Sequence, residues 1–124
     1  MVNISLIGLG QRGQATLERL KHIPIANVSV VCDIDTDWRD AATHPDVDLV
    51  WICTPWEWHM RMAVTAMRAG KDVALEVPAA MNVADCEALV NVAKETGRHC
   101  VMLENCCYDK WHLGAREMVR QGLL

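Results

Sequence analysis

Three glycines, an arginine and a distant aspartate carry the chemistry that is most readable in this chain. Gly8-Leu9-Gly10-Gln11-Arg12-Gly13 follows an apolar run, Ile4-Ser5-Leu6-Ile7, and opens a helix-like run from Gln14 to Leu20. Asp33 lies 20 positions past Gly13, at the end of a second apolar run, Val28 to Cys32. This is the spacing of a strand–turn–helix–strand unit that holds a dinucleotide. Gly8 allows the tight turn, Gly10 lets the backbone approach a pyrophosphate, and Gly13 lets helix and strand pack closely. The helix N-terminus offers free N–H groups and a positive dipole end to the phosphates. Asp33 accepts hydrogen bonds from the hydroxyls of an adenosine ribose and repels a 2′-phosphate, which favours NAD over NADP. Arg12 either pairs with a phosphate or points to solvent. The same glycines also suit an ordinary turn in an α/β domain, with Asp33 a solvated strand end.

The elements that position these residues alternate along the chain, which predicts a doubly wound, Rossmann-like parallel sheet of about five strands. Strands are expected near residues 3–8, 27–33, 48–53, 72–76 and 99–103. A first helix is expected near 12–22, blocked by Pro24, and another near 57–69, with Met60, Ala63, Val64 and Met67 as its apolar stripe and Gly70 as its stop. The next helix starts after Asn82, an N-cap with Asp85 three residues on, carries the stripe Cys86, Leu89, Val90 and Ala93, and stops at Gly97. The last, near 109–121, turns Trp111, Ala115, Met118 and Val119 inward and ends at Gly122. Between the second and third strands only Ile34 to Val47 remain, so the second helix is shortened or missing.

In a parallel sheet, ligands bind beyond the carboxyl ends of the strands. Read together, those tips hold Gly8 to Gly13, Asp33 and Asp35, Thr54 to His59, Glu76 to Met81, and Glu104 to Asp109. Gly8, Gly10, Gly13, Asp33 and Thr54 therefore belong to the expected cofactor site. Trp56 and Trp58, directly after Thr54-Pro55, stand where a dinucleotide's ribose and pyrophosphate pass, although tryptophans at a strand end also serve as packing residues. His59 is placed to donate a hydrogen bond there, although a lone histidine in a first helical turn is more often structural.

Bulk properties exclude several classes. The chain has 124 residues, 52% hydrophobic and 23% charged, which is one globular domain. Twelve basic residues against sixteen acidic give a net charge of −4, with no basic run to attract nucleic acid. No apolar run is long enough for a membrane span. Met1 leads straight into the first strand, so a cytoplasmic location is expected, with an export signal upstream of Met1 left open. The six cysteines sit in apolar strands, on a helix stripe, or side by side at Cys106-Cys107. These spacings suit neither a disulfide framework nor a metal, and a reducing compartment is the simpler inference.

The glycine turn, Cys53-Thr54-Pro55 and the Glu76-x-Pro78 tip resemble the N-terminal domain of the glucose–fructose oxidoreductase/inositol dehydrogenase/MocA (Gfo/Idh/MocA) family. Within it, Trp56-Glu57-Trp58-His59, Glu76-Val77-Pro78-Ala79-Ala80-Met81 and the run from Met102 to Asp109 resemble glycoside hydrolase family 109, which contains NAD-dependent α-N-acetylgalactosaminidases. The resemblance spans nearly the whole chain. It implies that Gln11, Arg12, Asp33, Trp56, Glu57, Trp58, His59, Glu76, Val77 and Asn105 line an NAD site. It also implies a redox-neutral hydrolysis: hydride leaves the sugar C3, the acidified C2 proton is removed, the glycosidic oxygen departs, water adds and the hydride returns. That route differs from two-carboxylate glycosidases.

Three departures qualify the resemblance. The wider family carries lysine where this chain has Val77, which disfavours a simple lysine-assisted dehydrogenase. The sugar-binding and proton-transfer residues of the resembled enzymes lie in a C-terminal domain that is absent from these 124 residues. The second helix is short. The expectation is thus the NAD-binding domain of a two-domain glycosidase, with no catalytic residue assigned, little activity alone, and a sugar substrate only when a C-terminal domain is supplied. The alternatives are a sugar or polyol dehydrogenase and a degenerate, non-enzymatic NAD-binding module. An uncovered sheet edge would favour self-association.

Overall fold

The computed structural model describes residues 1–123. Five strands, β1 (Val2–Ile7), β2 (Ala26–Cys32), β3 (Leu49–Ile52), β4 (Asp72–Leu75) and β5 (Cys100–Met102), form one sheet in the order β2-β1-β3-β4-β5. Every pairing is parallel. The helices are α1 (Gln11–Leu20), α2 (Trp38–Thr43), α3 (His59–Arg68), α4 (Val83–Thr96) and α5 (Lys110–Arg120). The step from β1 to β2 runs one way across the sheet and all later steps run the other way. Right-handed crossovers therefore put α1 on one face and α2, α3 and α4 on the other. The doubly wound expectation holds, and α2 is the shortened second helix, six residues long.

Strand alternation builds the main core. Ile7, Val50, Ile52, Val73 and Leu75 point to the α2–α4 face, where they meet Ala42, Met62, Ala63, Ala66, Met67, Leu89 and Val92. Each fully buried Ile or Leu side chain contributes about 1.5–3 kcal/mol from its removal from water. Asn82 caps α4 through its side-chain oxygen, which accepts from the Asp85 backbone N–H at 2.9 Å, and Gly97 closes it with φ +65°. Both follow the sequence expectation.

Three expected stripes are corrected. In α3 the buried positions are His59, Met62, Ala63, Ala66 and Met67, while Met60 and Val64 are only partly buried. The helix is rotated so that a polar ring, invisible to an apolar count, heads the stripe. In α4 Leu89 and Val92 are buried, whereas Cys86 and Val90 are exposed, because the helix packs chiefly against α3 and reaches the sheet mainly at the short edge strand β5. In α5 no residue is buried, and Trp111, Met118 and Val119 are exposed. That helix packs on the 3₁₀ turn Asn105–Tyr108 and has no strand behind it to receive its stripe.

The α1 face is correspondingly half open. A groove of about 440 Å³ lies between Thr16 and Leu20 of α1, Trp51 of β3 and Val101 of β5. Among the described residues the six cysteines are free thiols, no three metal-ligating side chains gather, and no helix is long and apolar enough to cross a membrane.

Candidate nucleotide-binding site

The glycine turn is built by close approach. Gly8 has φ +93°, and a Cβ there would lie 2.7 Å from the carbonyl carbon and oxygen of Cys53. A Cβ on Gly13 would lie 1.8 Å from the Gly8 carbonyl oxygen. These two glycines let α1 start directly against the ends of β1 and β3. Gly10 differs: its φ is an ordinary −62°, and a Cβ would meet nothing within 4 Å. It is the N-cap of α1, has no side chain to cap with, and leaves space in front of the helix. The first intrahelical bond runs from Gln14 N–H to the Gly10 carbonyl at 3.0 Å. The N–H groups of Gln11, Arg12 and Gly13 precede it and are left for an anion.

Asp33 is positioned by the end of β2 and fastened to the turn. One carboxylate oxygen accepts from the Leu9 backbone N–H at 2.6 Å, and the other accepts from the Ile34 N–H at 2.6 Å. A carboxylate has about four lone-pair positions, so acceptor capacity remains for ribose hydroxyls. Turn and aspartate open on a cavity of about 630 Å³. Of the expected residues, Gly8, Gly10, Gln11, Arg12, Asp33, Thr54 and Trp58 line it. Ile34, Thr36, Trp38, Pro55 and Met62 line it too. Trp38, the first residue of the short helix α2, has no place among the residues expected at the site. Its aromatic type next to a strand tip was the available signal.

Arg12 lines this cavity and is at the same time engaged within the protein. Its Nε lies 2.9 Å from a Glu76 carboxylate oxygen, and its terminal nitrogen donates to the Asn105 side-chain oxygen at 3.1 Å. One guanidinium thus ties the start of α1 to the tips of β4 and β5. Its fork geometry suits this double duty. Glu76 is nearly enclosed, so its charge is met inside the protein.

His59 is fully buried. Its Nδ1 lies 2.7 Å from the Pro78 carbonyl oxygen and its Nε2 lies 2.9 Å from the Thr54 carbonyl oxygen. The ring spans the tips of β3 and β4 from below. A neutral ring donates to one of these carbonyls and a doubly protonated ring to both. The side chain therefore supports the site floor and does not face the cavity. Trp56 and Glu57 sit in an exposed 3₁₀ turn, and Val77 is partly exposed on the β4 tip. None of the three borders the cavity in the described residues. Gly13 lies beneath it as a packing residue. Cys53, under the turn, has its thiol pushed up to about 11 by burial, with Glu76 nearby adding to the shift. It stays protonated and unreactive at neutral pH. The exposed Cys106 thiol is also raised, by its hydrogen bond to Glu104 and that carboxylate's charge.

The match to known proteins follows this geometry. The family model described as "Oxidoreductase family, NAD-binding Rossmann fold" of Gfo/Idh/MocA matches residues 26–104. The chain belongs to the Gfo/Idh/MocA family. The glycine turn lies outside the matched residues, so turn and match are separate observations. A glycosyl hydrolase family 109 protein of Phocaeicola vulgatus is 42% identical across 100% of this chain and 36% of its own length. An α-N-acetylgalactosaminidase of Bacteroides fragilis is 39% identical across 99% of this chain and 35% of its own. An NAD-binding oxidoreductase from Klebsiella pneumoniae superposes with TM-score 0.88 at 27% identity, covering 98% of this chain and 39% of that one. The chain spans about a third of the length of the curated relatives it matches.

As a Gfo/Idh/MocA nucleotide domain, the chain has NAD as its cofactor, and the residues present fit it. A Cβ on Gly10 would meet no atom within 4 Å, the first residues of α1, Gln11 and Arg12, line the cavity, and Asp33 borders it too. An Asp33→Arg variant should bind NAD about 10- to 100-fold more weakly, losing both ribose acceptors and the anchor on Leu9, and should gain relative affinity for NADP. Calorimetric titration with both dinucleotides checks this. An unchanged preference would exclude Asp33 as the ribose ligand.

Proposed function

We propose that this chain is the NAD-binding domain of a family 109-like glycosidase acting on N-acetylgalactosaminides by redox-neutral elimination and hydrolysis. The observation that carries the reading is the similarity to family 109 proteins along the full length of this chain, at about 40% identity. The site agrees with it. Val77 stands on the β4 tip and offers no amine, so no lysine at that position assists a simple dehydrogenation.

When bound, NAD supplies reversible hydride acceptance and the protein supplies position and electrostatics. In this chain the Gln11–Gly13 N–H groups take the pyrophosphate and Asp33 takes the ribose. The Arg12–Glu76–Asn105 bridge ties the start of α1 to the neighbouring strand tips. Of the polar groups at the tips, Glu76 is committed to Arg12 and His59 to two carbonyls. Neither is free to take a proton from a sugar. The isolated chain should therefore bind NAD and release little N-acetylgalactosamine from a chromogenic glycoside. Robust turnover by these 124 residues would overturn that part of the reading.

In a protein that joins this domain to a substrate domain, sugar should appear without net NADH. Steady NADH accumulation with a free sugar or polyol would identify a dehydrogenase instead.

A further inference from the structure

The cavity has an apolar end that phosphate and ribose chemistry leave unused. Trp38, Trp58, Ile34 and Met62 supply it in the same cavity as Asp33, whereas Glu76 and Asn105 line the separate groove beside Thr16. Ile34 follows Asp33 directly and is 93% exposed, an apolar side chain with nothing over it. Trp38 is the first residue of α2, and Asp37 fixes that start by accepting from the Arg39 backbone N–H at 2.9 Å. The Trp38 ring is half-buried against the core and meets Trp58 edge-to-face, with ring centroids 6.4 Å apart at 63°. Arg39 stacks on the Trp38 ring at 4.7 Å and does not line the cavity. Two indoles held by packing, by each other and by a guanidinium form a rigid aromatic wall. Little ordering entropy is lost when a flat ligand meets it.

We propose that Trp38 is the purine-binding wall of this site. Trp58 braces it, Ile34 closes the opposite side, and the adenosine half of the dinucleotide supplies most of the affinity. The inference rests on the NAD reading for the position of the ribose at Asp33. It goes further by assigning the base to a residue of the shortened helix. Because α2 begins five residues after Asp33, the indole reaches the strand tips that a longer connection would place elsewhere.

The test compares NAD, ADP-ribose and nicotinamide mononucleotide by calorimetry, on the native chain and on Trp38→Phe and Trp38→Leu variants. The native chain should bind ADP-ribose within about threefold of NAD and bind the mononucleotide far more weakly. Trp38→Phe keeps an aromatic face and should retain most affinity. Trp38→Leu keeps apolar volume without the face and should lose about 10- to 100-fold for NAD and ADP-ribose alike. Circular dichroism verifies folding of both variants. If Trp38→Leu unfolds, the Trp38 indole N–H resonance of the native chain decides: a shift with ADP-ribose and none with the mononucleotide supports the wall. Normal binding of NAD and ADP-ribose by folded Trp38→Leu would overturn the proposal and leave the NAD reading intact. Failure of the native chain to bind either would overturn both.

Discussion

Gly13→Ala should cost the domain about 3 kcal/mol or more, the largest loss expected from any single methyl group added to this chain. The added Cβ would sit 1.8 Å from the Gly8 carbonyl oxygen, inside any permissible contact. The neighbour is backbone, not the end of a flexible side chain, so it has no rotamer to retreat into. Gly8 has little freedom to move away: its φ is +93° and its N–H donates to the Cys32 carbonyl at 2.8 Å. The helix itself must shift, and Arg12 with it, which loosens the bridge to Glu76 and Asn105. With a urea slope near 2 kcal/mol per molar, the unfolding midpoint should drop by about 1.5 M. A midpoint within about 0.5 M of the native protein would mean that α1 and the β1 tip are not in contact.

Gly10→Val should do the reverse, sparing the fold and losing the cofactor. Its backbone sits in an extended conformation open to valine, and the added Cβ meets no protein atom within 4 Å. The cost to α1 is that of a poor N-cap, about 1 kcal/mol or less. The isopropyl group, however, fills the space in front of the Gln11–Gly13 N–H groups. NAD affinity should fall about 10- to 100-fold with the thermal midpoint shifted by only a few degrees. ADP-ribose, which carries the same pyrophosphate, should suffer equally. Retained NAD affinity in a folded Gly10→Val protein would rule out pyrophosphate contact at this turn. The two glycines, three residues apart, thus separate packing from ligand access.

What the sequence made legible is what local chemistry dictates. Glycine spacing, strand alternation, the Asn82 cap and the shortness of the β2–β3 connection all depend on residues near one another, and all appear in the structure. Arg12 illustrates the limit. Its contacts with Glu76 and Asn105 depend on two strand tips, one of them 93 residues away. Only the sheet register brings those tips together. His59 is similar: a histidine after two tryptophans reads as a ligand donor, yet Thr54 and Pro78 carbonyls converge on it from two strands. Trp38 was hidden for the opposite reason. A six-residue helix has too little periodicity to show a face, so only an aromatic residue type beside a strand tip hinted at the cavity. The inward stripe of α5 was an apolar count without a surface to receive it.

That last helix sets a second scale of stability within the chain. An eleven-residue helix with no buried side chain gains almost nothing from tertiary packing and is near the length at which isolated helices are marginal in water. In these 124 residues its amides should therefore exchange with solvent far faster than those of β1, β3 and β4, which hydrogen exchange read by mass spectrometry checks. The expected pattern is a slow-exchanging floor under the nucleotide cavity and a fast-exchanging helix α5, Lys110–Arg120. A protease encountering the native molecule would cut the second before it found a foothold in the first.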